Sequence, residues 1–265
     1  MENILSNKYY NEQSVFLPEN LLREARRQKN KQECNVPTVC LLDPDGDLAG
    51  FLLKNNLASK NNCWACYHSA LYDFNLDGNS IGIIPCIVGS SYAVLVAEQL
   101  FVSGCKLLIS VTSAGIINKL NKEKRFALIT SAVRDEGTSY HYLSPEKPAV
   151  LNDELAYLLN SNNPKEDCPF FNATSWTTDA PYRETQSVIN TMMKANVTCV
   201  EMEASALYAL SEVKNYSIIC FAHLTNSMAQ KEGDFEKGEE SGSLDTLNLV
   251  SYVLKMFHSQ KYLLK

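Results

Sequence analysis

VTCVEMEASALYAL, residues 197–210, changes character at its middle. Residues 197–200 are rich in β-formers, whereas Ala204 onward is built from Ala, Leu and other helix formers. The junction therefore reads as a strand handing over to a helix, with Glu201 and Glu203 straddling Met202 at the corner. Side chains two apart on extended backbone point the same way, so both carboxylates can face one pocket while Met202 packs opposite. Polar ligands of open α/β folds sit at such strand ends. An ionised carboxylate accepts two hydrogen bonds, which suits the vicinal hydroxyls of a ribose. The same spacing also describes an acidic helix start stabilised by the macrodipole.

On both sides of this corner apolar β-rich runs alternate with amphipathic stretches. Strands are expected at 37–42, 63–76, 80–87, 106–111, 126–133, 170–174, 198–200 and 217–222. Helices are expected at 48–57, 93–102, 152–159, 184–195, 204–214 and 244–258. The Asp77-Gly78-Asn79 turn predicts a hairpin, and 112–115 reads as a loop. This order predicts an α/β fold, a single three-layer domain with a central mixed β-sheet flanked by helices. It is assigned to 31–265, after a polar segment 1–30 whose Arg23 to Arg27 patch reads as solvated helix. The charged stretch 231–242 reads as a mobile loop.

Composition excludes several functions. The 265 residues, 45% hydrophobic, can bury a substantial core, and a net charge of −6 with scattered basic residues offers no stripe for nucleic acid. The first residues lack the apolar core of a signal peptide, and no run approaches the roughly 20 apolar residues that cross a bilayer. A cytoplasmic protein with no membrane partner is expected. Of nine cysteines, Cys40, Cys86, Cys105, Cys199 and Cys220 lie in apolar runs and read as small buried hydrophobes in a reducing compartment. Cys63 and Cys66 form a CWAC pair with no second pair spaced to complete a zinc site, so they read as strand residues and no metal is expected.

Four further segments carry chemistry. Gly89-Ser90-Ser91 leads into a helix and offers N–H groups and hydroxyls to an anion, or is an ordinary cap. Residues 109–115, ISVTSAG, run from a buried strand into a small-residue turn that backbone can bring close to a ligand. Residues 174–185, TSWTTDAPYRET, gather Trp176, Asp179, Tyr182 and Arg183, able to stack on and hydrogen-bond a planar heterocycle, or form a surface loop. Residues 134–142, RDEGTSYHY, place Arg134 and His141 as pocket or interface groups beside a strand.

In sequence order, these segments resemble the nucleoside phosphorylase and nucleosidase family, which includes uridine phosphorylases. VEMEASALYAL is similar to its ribose-binding signature; 89–104, 109–115 and 132–150 resemble its glycine-serine turn, its ligand-facing strand end and its uridine phosphorylase branch. The resemblance implies cleavage of a nucleoside N-glycosidic bond through an oxocarbenium-like transition state, with inorganic phosphate as co-substrate and no other cofactor. It implies Glu203, Glu201 and Met202 at the ribose, with Glu203, Glu201 and Arg183 catalytic. It implies Thr178, Tyr182, Arg183 and Asn226 at the base, and Gly89, Ser90, Thr112 and Ser113 at the phosphate. Relatives assemble as dimers or hexamers, so a homo-oligomer is expected.

Two departures matter. The family's phosphate-binding arginines match Gly46, Tyr67 and Ser110 here, none basic. Phosphate held differently, by Arg134 or a residue of a neighbouring subunit, hydrolysis by water, or a catalytically silent nucleoside-binding or storage protein are therefore alternatives. Purine-specific members carry an aspartate where this chain has Asn226, which favours a uridine-like or 6-oxopurine substrate.

Overall fold

The computed structural model describes residues 5–118, 125–161, 168–226, 232 and 236–259. Among them the elements run α1 (Pro18–Gln28), β1 (Val39–Asp43), α2 (Asp47–Lys54), β2 (Ala58–Lys60), β3 (Tyr72–Leu76), β4 (Asn79–Pro85), α3 (Ser90–Val102), β5 (Leu107–Ile116) and β6 (Phe126–Asp135). After these come β7 (Ala149–Val150), α4 (Asp153–Ser161), β8 (Phe170–Thr178), α5 (Gln186–Lys194), β9 (Cys199–Glu201), α6 (Ala204–Lys214), β10 (Ser217–Asn226) and α7 (Ser243–Ser259).

A mixed sheet forms the middle layer. Its order is β10-β6-β8-β9-β5-β1-β4-β3-β2, and β10 also pairs with β5, so five strands close on themselves while β1, β4, β3 and β2 extend from the ring. The innermost strands are parallel and apolar, as burial on both faces demands: all five residues of β1 are buried between β4 and β5. Helices α1, α3 and α6 pack together, and α7 packs with α2 and α4. The Asp77-Gly78 pair turns β3 into β4 with positive φ at both residues, the conformation a two-residue hairpin needs. The fold is the α/β sandwich expected.

Three strands outrun their expected ends by four residues or more. β5 continues through Thr112 to Ile116 because β10 pairs beside it and β9 pairs antiparallel at Gly115 and Ile116. β8 continues to Thr178 because β6 and β9 flank it, and β10 continues to Asn226. The expected loop at 112–115 and much of that at 174–185 are therefore strand. The expected strand at 63–76 is one only from Tyr72; before it, Cys63 is joined to Cys34 by a disulfide. Cys86 is exposed, not buried, because it sits at φ 59° in the turn after β4 with its N–H given to Asp43. Nor is α1 simply solvated, since Leu22 and Ala25 are buried against Ala65, with Val102 packed alongside. No described helix is long and apolar enough to cross a membrane.

Candidate active site

The chain leaves β9 at Glu201, turns at Met202, and enters α6 with Glu203 as the residue before its first turn. Buried residues line α6 from Ala204 to Ser211, so this helix is locked against the sheet and fixes the corner. Across from it, α3 begins after Gly89, whose φ of 93° favours glycine. The Gly89 N–H donates to Glu203 Oε1 at 2.7 Å, and the Ser90 hydroxyl donates to the Met202 carbonyl at 2.7 Å. Two helix starts are thus tied through one carboxylate. Glu203 Oε2 is buried with no hydrogen-bond partner. Burial pushes the Glu203 carboxyl up to about 8, the nearby Glu201 charge adds to this, and the Gly89 N–H and Thr112 hydroxyl oppose it.

Glu201 differs. Its Oε1 accepts the Ser175 hydroxyl at 3.0 Å and the Thr177 hydroxyl, while its Oε2 accepts the N–H groups of Glu203 and Ala204, each at 2.7 Å. Thr177 in turn accepts the Ser205 N–H at 3.0 Å. Burial raises the Glu201 carboxyl and these four donors lower it. Two-residue alternation does turn both acids inward and leaves Met202 partly exposed. Of the pair, Glu203 alone keeps an oxygen without a partner, whereas both oxygens of Glu201 are taken up in strapping the corner.

The expected phosphate groups are already engaged. Gly89 and Ser90 serve Glu203 and Met202, as above. Thr112 lies against Glu203, and its neighbour Ser113 gives both its N–H (2.9 Å) and its hydroxyl (2.8 Å) to Asp45. Asp45 follows β1 and also meets Lys237 at 3.4 Å, whose ammonium is bonded to Asp47. Gly46 turns the chain into α2, the Tyr67 hydroxyl reaches Gln28, and Ser110 Oγ is buried without a partner. The Asp45–Lys237 contact joins the end of β1 to the stretch 231–242 that the sequence alone reads as a mobile loop. The alternating acids at a strand end were its only local signal.

The expected base-binding residues separate. Thr178 is buried at the end of β8 and accepts the Ala180 N–H. Tyr182 is 99% exposed, and Arg183 is exposed beside it in a single 3₁₀ turn. Trp176 is a core residue, packed with Ile117, Val197 and Val200 and bonded through Nε1 to Asp135, so it is no stacking platform. Arg134 is unavailable to an anion: its guanidinium reaches Ser139 Oγ and the carbonyls of Leu143, Ser144 and Lys147. His141 is exposed and hydrogen-bonded to Lys8, beside a surface cavity shared with the N-terminal segment. Asn226 ends β10, and its side chain lies outside the described residues. No group of His, Cys, Asp and Glu among the described residues could hold a metal ion.

This architecture has solved counterparts. A uridine phosphorylase from Vibrio fischeri ES114 superimposes with a TM-score of 0.70 over 88% of this chain and 99% of its own, at 16% identity. A purine nucleoside phosphorylase from Toxoplasma gondii does so with a TM-score of 0.69 over 86% and 93%, at 15% identity. In sequence, the chain is 28% identical to a purine nucleoside phosphorylase of Plasmodium vivax over 48% of its length and 53% of the relative's. It is 27% identical to a guanosine phosphorylase of Halorubrum lacusprofundi, over 52% and 57%. It spans about half the length of these curated relatives. Residues 41–256, most of the chain, match the model of the phosphorylase superfamily, and the chain belongs to that superfamily.

Proposed function

We propose that this protein cleaves the N-glycosidic bond of a nucleoside, transferring the ribosyl group to inorganic phosphate and needing no other cofactor. The observation that carries this is Glu203: one oxygen is fixed by Gly89, and the other is buried and still lacks a donor. Burying an unsatisfied acceptor costs about 1–3 kcal/mol, and a vicinal diol supplies the missing hydrogen bonds. Donated hydroxyls draw the carboxyl down from about 8, so the bound enzyme holds an anion under the ribosyl ring. Positive charge builds on that ring as the C1′–N bond breaks, and a fixed negative charge favours this state over the ground state. A phosphate oxygen bonds to C1′, and the C1′–N electron pair leaves with the base. Glu201 acts as a positioning residue, holding the Glu203 N–H and the first turn of α6.

For the base, Arg183 is the donor proposed for a ring carbonyl, and Thr178, Tyr182 and Asn226 are the further candidates. A uridine-like or 6-oxopurine base fits, because an asparagine at 226 orients a ring but supplies no acid proton. Names of the relatives, among them a uridine phosphorylase of Thermococcus kodakarensis, favour phosphorolysis. Hydrolysis is a second reading, favoured by the uncharged Gly46, Tyr67 and Ser110. A homo-oligomer is proposed, with His141 at or near its interface.

The test is to incubate the full chain with a panel of nucleosides, with and without phosphate, and follow free base by chromatography. Phosphate-dependent release is expected. Release without phosphate selects hydrolysis, and absence of release with every nucleoside overturns the enzymatic reading. Glu203→Ala abolishes release.

A further inference from the structure

We propose that the Asp45 carboxylate is an internal stand-in for a phosphate group, and that Ser113 and Lys237 are the ligands that receive that phosphate once Asp45 swings out. Asp45 takes the Ser113 N–H on Oδ2 and the Ser113 hydroxyl on Oδ1, and Oδ1 also meets the Lys237 ammonium at 3.4 Å. A hydrogen-bonded pair of oxygens with a cation alongside is the contact set of a bound phosphate oxygen pair. Lys237 is only 14% exposed, so its charge sits inside this seat, whereas Asp45 is 28% exposed and has solvent to turn into.

A second group points into the same cleft. His223, on β10 beside Ser113 in the parallel register, is 5% exposed, and its Nε2 has no hydrogen-bond partner. With Ser113, Lys237 and Asp45 it lines a cleft whose free space is about 20 Å³. That is room for roughly one water and far too little for phosphate. A phosphate enters only by displacing the carboxylate. The exchange is anion for anion, so the neighbouring Asp43 and Asp47 see no added body of charge beyond the difference between a carboxylate and a phosphate. Burial pushes His223 down to about 4, so its imidazole is neutral at pH 7 and Nε2 can serve a phosphate oxygen as donor or acceptor, by tautomer. Lys237 thereby supplies the cation missing at Gly46, Tyr67 and Ser110.

The use of this phosphate in glycosidic cleavage rests on the function proposed above; its binding does not. Two sources share the chemistry: free inorganic phosphate as co-substrate, and a phosphoryl group carried on the substrate. Calorimetric titration of the full chain with inorganic phosphate, and separately with a nucleoside 5′-monophosphate, separates them. Asp45→Ser, and Asp45→Asn as a shape-preserving second variant, are expected to tighten binding of one of the two at least tenfold. Adding Lys237→Met to Asp45→Ser is expected to lose that gain, and Lys237→Arg to retain it. An unchanged or weaker isotherm in both folded Asp45 variants overturns the proposal, as does tight binding that survives Lys237→Met. Glu203→Ala is expected to leave the phosphate isotherm intact. If base release never occurs while the Asp45 and Lys237 effects hold, the cleavage reading fails and the phosphate seat stands.

Discussion

Replacing Glu203 by glutamine tests the central site without any substrate. The free carboxyl titrates at 4.5 and the buried one at about 8. Between these values the unfolded chain has lost a proton that the native protein still holds, so native stability is fully present below 4.5 and declines as pH rises toward 8. At roughly 1.4 kcal/mol per unit the decline attributable to Glu203 is on the order of 5 kcal/mol. Glutamine removes the titration. Its carbonyl oxygen can keep the Gly89 bond, while its amide nitrogen takes the place of the unpartnered Oε2 at a pH-independent cost of about 1–3 kcal/mol. Urea denaturation at unit steps from pH 5 to 9 is therefore expected to show a falling midpoint for the natural protein and a much flatter one for the variant. The two curves converge or cross as pH rises. A saturating nucleoside should flatten the natural protein's slope, because hydroxyls that donate to Oε2 stabilise the anion. Parallel curves for the two proteins, with and without nucleoside, would refute a buried, underpartnered Glu203.

Glu201→Ala removes the acceptor of four hydrogen bonds at the corner and is expected to lower stability by at least about 3 kcal/mol by chemical denaturation; a change under about 1 kcal/mol contradicts its role as strap. Arg183→Ala touches an exposed side chain, so unfolding should shift by no more than about 0.5 kcal/mol while KM for the nucleoside rises several-fold; unchanged kinetics removes it from the base site. Arg134→Ala releases the 139–147 loop, and faster amide exchange there with a loss of about 2–3 kcal/mol is expected. Reducing the Cys34–Cys63 disulfide, which closes a separation of 29 residues, should cost about 3–4 kcal/mol by the chain-entropy relation; equal melting of oxidised and reduced protein shows that the closure adds nothing.

The sequence by itself determined what short-range physics encodes. α6 is found at 204–214 as read, because β-branched residues gave way to helix formers within one turn of Glu203. The Asp77-Gly78 hairpin was equally legible, since positive φ at two consecutive residues selects such pairs. The order of strands and helices followed from the period of the apolar positions. Strand ends were not legible, because a strand runs as far as its neighbours pair with it, and the partners of β5 and β8 come from distant parts of the chain.

Tertiary structure alone separated the two glutamates. Glu201 lies opposite Thr177 across the β8–β9 pairing, which delivers hydroxyl donors to it, whereas Glu203 takes the Gly89 N–H on one oxygen and keeps the other buried without a partner. It likewise buried Trp176 and consumed every arm of Arg134 on local carbonyls and a serine. Asp47 and Lys237 are 190 residues apart, and no local pattern joins an acidic turn to a basic residue at that range. A side chain's chemistry is written in its identity, but whether its oxygens and nitrogens remain available is decided by what the fold brings against them.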